Sequence, residues 1–235
     1  MDYRIYNSFK RLAGPALVSF VVVVLFTAIP QALAQQTDKG QDIVDKSLMT
    51  FNGFMNDQNY TWIHDNLKRA KAIMIFPQVL KAGFIFGGSG GTGVMLARDK
   101  NGTWSEPAFY TISSLNFGFL AGAQAAEVII MVMKESTRDS LYTTSLKLGT
   151  GAASIAVGPV GAEAKSNITA SMVSFAKSKG LYAGLNLHSS VVTVRAKMNK
   201  AYYGKEVSPV EIIVEKKAQN EGTAKLRAAL NKASQ

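Results

Sequence analysis

From Ala72 to Ala164 the chain consists of short apolar runs broken by glycine, and this texture limits the fold more than any other feature. Ala72–Phe76 is an apolar run that Pro77 should end, because proline cannot donate to a strand ladder. Gly83–Gly88 and Gly93–Arg98 flank a Gly-Ser-Gly-Gly-Thr segment that reads as a tight turn. Asp99-Lys100-Asn101-Gly102 is a hairpin signal leading into Thr103–Ser114. Asn116–Gln124 and Glu127–Met133 follow, the latter apolar enough to be buried on both faces. After a short helix or turn at Glu135–Tyr142 and a small, glycine-rich stretch at Leu148–Ala164, three further strands are predicted: Thr169–Ala176, Leu181–His188 and Val191–Lys197. In the last two, alternation sets Leu181, Ala183, Leu185 and Leu187 against Tyr182, Asn186 and His188. It likewise sets Val192, Val194 and Ala196 against Thr193, Arg195 and Lys197.

Helices frame these strands. Ile43, Ser47-Leu48, Phe51 and Phe54-Met55 recur at helical spacing, predicting a helix over about 38–56, and Asn59–Ala70 reads as a second, with Trp62, Ile63 and Leu67 on one side. Ser208-Pro209 is an N-cap followed by proline at the first helical position, opening a helix through about Lys217. A last basic helix spans about 223–232. Helical ends around many short strands give an α+β fold, with a mostly antiparallel, strongly curved or barrel-like sheet.

Residues 1–34 read as a secretory signal. Arg4, Lys10 and Arg11 form a positive n-region, Leu17–Ile29 an apolar run, and Ala32-Leu33-Ala34 a small-x-small cleavage site. The rival is an uncleaved anchor from Leu12 to Ile29, but Pro15 interrupts it and a spanning helix needs about 20 residues. Cleavage is favoured, leaving 35–235 as one domain: a helical lead-in at about 38–70, a β-rich core at about 72–204 and C-terminal helices at about 208–233. The chain has no cysteine, hence no disulfide, thiol chemistry or lipid-modified cysteine. An exported, cysteine-free chain of this size points to a bacterial periplasm or cell envelope.

The net charge is +10, and loss of the leader's three cations and one anion leaves +8. The charge is uneven. Lys165–Lys205 holds seven Lys or Arg, no Asp or Glu, and Phe175, Tyr182, Tyr202 and Tyr203. Asn66–Arg98 is also acid-free and carries Lys68, Arg69, Lys71, Lys81 and Arg98. Such a surface suits an anionic partner, and export argues against nucleic acid. The bland reading is that solvated lysines happen to lie where acids are few, and that the tyrosines pack in the core.

Motifs suggestive of catalysis lack their context. Gly88–Gly93 matches G-x-G-x-x-G but opens an apolar strand rather than a helix. Gly87-Gly88-Ser89-Gly90-Gly91 matches the G-x-S-x-G nucleophile elbow, again without its helix. The two histidines, His64 and His188, stand in no metal-binding spacing, so neither a metal nor a cofactor is expected.

Several blocks in order carry a resemblance. Phe76-Pro77-Gln78-Val79-Leu80-Lys81-Ala82-Gly83-Phe84 is followed by the glycines to Gly93, then Trp104-Ser105-Glu106-Pro107-Ala108-Phe109, Gly118 and Gly122-Ala123-Gln124. Ala156-Val157-Gly158-Pro159-Val160-Gly161, Ser174-Phe175, Lys179–Gly184 and Asn199-Lys200-Ala201-Tyr202-Tyr203-Gly204 complete the set. Over about 43–215 the chain resembles the SYLF domain family of lipid-binding, Las-seventeen-binding actin regulators. The resemblance implies acidic phospholipid binding without catalysis. Eukaryotic members bind phosphoinositides, and fungal ones bundle actin. Their lipid contact leans on an amphipathic segment ahead of the domain, where this chain has its leader, so phosphoinositide specificity does not carry over.

Charge and resemblance together predict a non-enzymatic envelope protein that binds an anionic phospholipid membrane surface. The candidate lipid-binding residues are Lys177, Lys179, Tyr182, Arg195, Lys197, Lys200, Tyr202, Tyr203, Lys68, Arg69 and Lys71, with the tyrosines seated at headgroup level. The alternatives are an envelope structural or protein-interaction module and, less favoured, a hydrolase using Ser89.

Overall fold

A computed structural model describes residues 38–83, 86–117, 122–151, 153–161, 168–178 and 187–235. The expectations for residues 1–37, for Gly118 and for 179–186, which include most of the strand read at Leu181–His188, lie outside them. The first helix, α1, occupies 38–55; α2 is Thr61–Asn66, flanked by 3₁₀ turns at Gln58–Tyr60 and Leu67–Arg69. The strands are β1 (Ala72–Gly83), β2 (Phe86–Ala97), β3 (Ala108–Phe117), β4 (Gly122–Val132), β5 (Ser145–Lys147), β6 (Ile155–Val157), β7 (Met172–Ser178) and β8 (Val191–Val194). Four more helices follow in chain order: α3 (Glu135–Ser140), α4 (Ala196–Tyr203), α5 (Pro209–Ile213) and α6 (Ala224–Ala233).

The fold is α+β, as the sequence predicts. One strongly curled sheet runs β5-β8-β3-β2-β1-β4-β7-β6, antiparallel except where β6 lies parallel to β7. β1 is central and apolar on both sides. Met74 and Phe76 join one core, with Met95, Tyr110, Val128 and Ile130 beneath α5. Ile73 and Ile75 join the other, with Val94, Leu96, Ile129, Met131 and Phe175 beneath α1, α2, α4 and α6. An uninterrupted apolar run such as Ala72–Phe76 follows from this two-sided burial.

Pro77 does not end β1. The register slips by one residue on both sides, between Ile75 and Gln78 against β2 and between Phe76 and Val79 against β4. A proline in a central strand is tolerated at such a bulge, where the ladder is already broken. The bulge also explains the glycines, which form no turn: Gly87–Gly93 is strand, paired throughout with β3, and with β1 from Gly87 to Thr92, Gly93 falling at the register slip. A Cβ on Gly93 would lie 2.1 Å from the Ile75 carbonyl oxygen, and one on Gly91 would lie 2.3 Å from that of Gln78. These glycines are needed for close backbone approach rather than positive φ.

A second correction concerns the stretch read as a strand to Lys197. β8 stops at Val194, Arg195 is the N-cap, and α4 closes on Gly204 in the left-handed conformation. Met198 and Ala201-Tyr202 are buried at helical spacing, a period that outweighed the brief alternation before it. The Ser208 N-cap is present as a full capping box with Glu211, but α5 ends at Ile213, short of the predicted Lys217.

The block from Trp104 to Phe109 ties the C-terminal helices to the sheet. Trp104 Nε1 donates to Ser234 Oγ at 3.0 Å, and its backbone N–H donates to Asn231 Oδ1 at 3.1 Å. Glu106, 7% exposed, accepts from Thr223 at 2.8 Å and from Arg227 at 2.6 Å. The Phe109 N–H donates to Asn199 Oδ1 on α4 at 2.8 Å.

Candidate functional site

The sheet separates the predicted basic residues into two ends. Lys68 and Arg69 lie in the exposed 3₁₀ turn before β1, and Lys71 pairs with Glu135 at 3.1 Å. Lys177 stands opposite Glu127 beside the bulge of β1. At 3.3 Å per strand residue, that is roughly 20 Å from Lys71. Lys68, Arg69 and Lys71 therefore do not share a surface with Lys177, although Lys81 of the first run lies beyond the bulge on β1.

Within the second run the predicted residues divide again. Lys179 and Tyr182 lie outside the described residues. Arg195 donates to Thr92 Oγ1 at 2.9 Å, so it faces the sheet, whereas Lys197 is exposed on α4; the two share no strand face. Lys200 pairs with Glu206 at 2.7 Å. Tyr202 is buried, stacked edge-on to Phe109 at 5.0 Å, with its hydroxyl donating to Gln41 Oε1. Tyr203 donates to the Pro107 carbonyl at 2.6 Å. Burial, then Glu106 nearby, pushes both phenols well above their ordinary range. Tyr202 is in the core and Tyr203, half-buried, commits its hydroxyl to the Pro107 carbonyl, which is a correction to the predicted seating at headgroup level.

The bulge end holds a groove of about 490 Å³ between α1, β1, β4 and β7. Its floor is Pro77, Gln78, Ala125 and Ala126, and Lys46 and Lys177 stand at its rim. On α1 the buried stripe is Val44, Ser47, Phe51 and Phe54, and Met49 points away from it, 70% exposed at the groove. On β1 the bulge turns Gln78 and Leu80 toward the α1 side, and Leu80 is 54% exposed. Sequence patterning missed both residues. The available signal for Met49 was its position off the helix stripe; Leu80 gave none, because the bulge resets the alternation.

Lys177 is the predicted residue that this groove does contain. Its ammonium donates to Asp57 Oδ2 at 2.8 Å and lies 5.9 Å from the centre of the Tyr60 ring. The Lys177 hydrogen bond, aided by the Asn59 N–H, holds the Asp57 carboxyl below its ordinary 3.8. One groove wall carries a carboxylate: Glu127 accepts from Thr50 Oγ1 at 3.0 Å.

Ser89 lies within β2, where its hydroxyl shares a 2.7 Å hydrogen bond with that of Ser114. No strand-to-helix elbow exists at that point. Among the described residues no group of three His, Asp or Glu could hold a metal ion, and no helix is long and apolar enough to cross a membrane.

Residues 113–233 match the family described as Ysc84, Las17-binding protein actin regulator. The chain is 33% identical over 186 residues to LAS seventeen-binding protein 3 of Saccharomyces cerevisiae, covering 75% of this chain and 39% of the relative. It is 31% identical over 152 residues to SH3 domain-containing YSC84-like protein 1 of Bos taurus, covering 63% of this chain and 44% of that protein. The match thus spans less than half the length of either relative.

Proposed function

Since the chain belongs to the Ysc84 family of Las17-binding protein actin regulators, we propose that it is a binding domain without catalytic chemistry whose ligand is an anionic phospholipid surface. The observation that carries this reading is the groove at the β1 bulge, where exposed Met49 lines the wall and Lys46 and Lys177, ion-paired with Asp42 and Asp57, stand at the rim, with exposed Leu80 on the adjoining stretch of β1. An apolar floor under cations suits a lipid, which offers acyl and glycerol carbon below a phosphate. Each Lys near an anionic leaflet contributes about 1 kcal/mol, so adsorption is reversible and sensitive to salt. Met49 and Leu80 supply the apolar contact that the sequence assigned to the tyrosines. The leader-like residues 1–34 support export, which would make the surface that of a bacterial envelope.

Co-sedimentation with phosphatidylglycerol vesicles tests this. Binding should fall as salt rises and should drop further in Met49→Asp and in Lys46→Glu/Lys177→Glu. Equal binding to neutral phosphatidylcholine, or undiminished binding by both folded variants, would remove the lipid reading.

The relatives' names state a protein partner, and this favours a second reading, in which the same groove receives a protein segment. Vesicle binding lost in Met49→Asp separates the two, because a protein-only groove leaves vesicles unbound in the parent as well.

A further inference from the structure

At the opposite end of the sheet a second concavity, of about 220 Å³, opens between the Asp99–Thr103 turn, the end of α3, the residues after α5 and the side of α6. Its lining holds five cations, Arg98, Lys100, Arg138, Lys216 and Arg227, against two carboxylates, Asp99 and Glu106. Both carboxylates are already engaged. Asp99 accepts from the backbone N–H groups of Asn101 and Thr103 and pairs with Lys216 at 2.9 Å. Glu106 accepts from Thr223 and Arg227. Arg138 pairs with Asp139, outside the lining.

Among the described residues two of these cations have no carboxylate partner. The Arg98 guanidinium donates, among the described residues, only to backbone carbonyls, those of Gly102 at 2.9 Å, of Lys68 and of Ser234 at 3.4 Å. Lys100 is exposed and makes no ion pair within contact distance among the described residues, its nearest carboxylate influence being a longer-range one on Glu135, which is itself paired with Lys71. Lys216 is held at φ 55°, a conformation rare outside glycine, and its ammonium reaches Asp99. Beside this charge stands an apolar wall of Tyr142, Ile213 and Val214, the last more than half exposed. The volume lies below the roughly 300 Å³ at which sites for drug-sized ligands begin.

We propose that this cleft binds a phosphomonoester. The ester carries nearly two negative charges at neutral pH, which matches the two cations that lack an ion-pair partner among the described residues, and its three acceptor oxygens suit guanidinium and ammonium donors. The small volume fits one phosphoryl group with a short carbon substituent against Tyr142 and Val214. The site is separate from the lipid groove and does not depend on it.

Isothermal titration calorimetry at fixed ionic strength, with chloride as reference, tests the proposal using inorganic phosphate, glycerol 3-phosphate and vesicles containing phosphatidic acid. Saturable binding of glycerol 3-phosphate is expected, weakened about tenfold or more by Lys100→Glu, which removes one charge-assisted partner. Lys225→Glu, on the exposed side of α6, should leave it unchanged. Binding of the soluble esters identifies a free metabolite, and binding restricted to phosphatidic acid vesicles identifies a lipid headgroup; either supports the site. No saturation by any probe, or equal weakening by Lys100→Glu and Lys225→Glu, would overturn it.

Discussion

Replacing Gly93 with alanine tests the account of the β1 bulge most directly. The added methyl would stand 2.1 Å from the Ile75 carbonyl oxygen, 2.9 Å from its carbon and 2.6 Å from the Phe76 ring. Two of these atoms are backbone in a strand hydrogen-bonded on both sides, so no rotamer change relieves the clash. Overpacking of this kind costs typically 1–3 kcal/mol, and a backbone clash belongs at the top of that range. Alanine recovers about 0.5–1 kcal/mol by restricting the unfolded chain, leaving a net loss of about 2 kcal/mol. For a domain of this size that lowers the melting temperature by about 4–8 °C. Gly91→Ala meets one carbonyl at 2.3 Å and two Val79 atoms at 3.1 Å, so its loss should be smaller. Gly90→Ala meets only the Ile112 oxygen at 3.6 Å, ordinary contact, and should be neutral or slightly stabilising. Thermal melts followed by circular dichroism rank the three. A Gly93→Ala protein melting with the parent, or a Gly90→Ala protein falling as far as Gly93→Ala, would refute close approach as the reason for these glycines.

Other consequences follow from the same contacts. Arg227→Ala leaves Glu106 buried without its cation, and because Arg227 is itself a third exposed the loss should be about 2 kcal/mol, read from urea unfolding midpoints. Ser89→Ala forfeits the hydroxyl pair with Ser114 and should cost about 1 kcal/mol with no effect on ester hydrolysis; an esterase activity present in the parent and absent from the variant would restore the nucleophile reading. Asp57, held below 3.8 chiefly by Lys177, adds stability that is present above that value and lost as pH falls through its lower folded value. Lys177→Met should therefore flatten the acid side of the stability profile below about pH 4, and an unchanged slope would show that the pair contributes nothing there.

The local readings that held were those in which a short segment specifies its own geometry. Asp99–Gly102 forms its tight turn, with Gly102 at φ 82° and the Asp99 side chain on the N–H groups of Asn101 and Thr103. Ser208-Pro209 caps a helix, and Glu127–Met133 supplies a strand segment buried on both faces from Val128 to Val132. For each of these, hydrogen bonding and apolar periodicity lie within a few residues, so the sequence by itself determined the element. The same holds for the α+β class and for the uneven distribution of charge along the chain.

Tertiary structure decided what depends on neighbours distant in sequence. The bulge at Pro77 is defined by two flanking strands, and only against them do Gly91 and Gly93 become obligatory and Leu80 turn outward. Tyr202 looks amphipathic in sequence, yet Phe109 and Gln41, from β3 and α1, draw it into the core. Lys68 and Lys177 belong to similar acid-free runs but stand roughly 20 Å apart along the sheet, because strand length and register set where charges meet. Composition determined how much positive charge the chain carries. Only the fold could divide it between an apolar groove at one end and a polar cleft at the other, since that division is set by long-range pairing that no local pattern records.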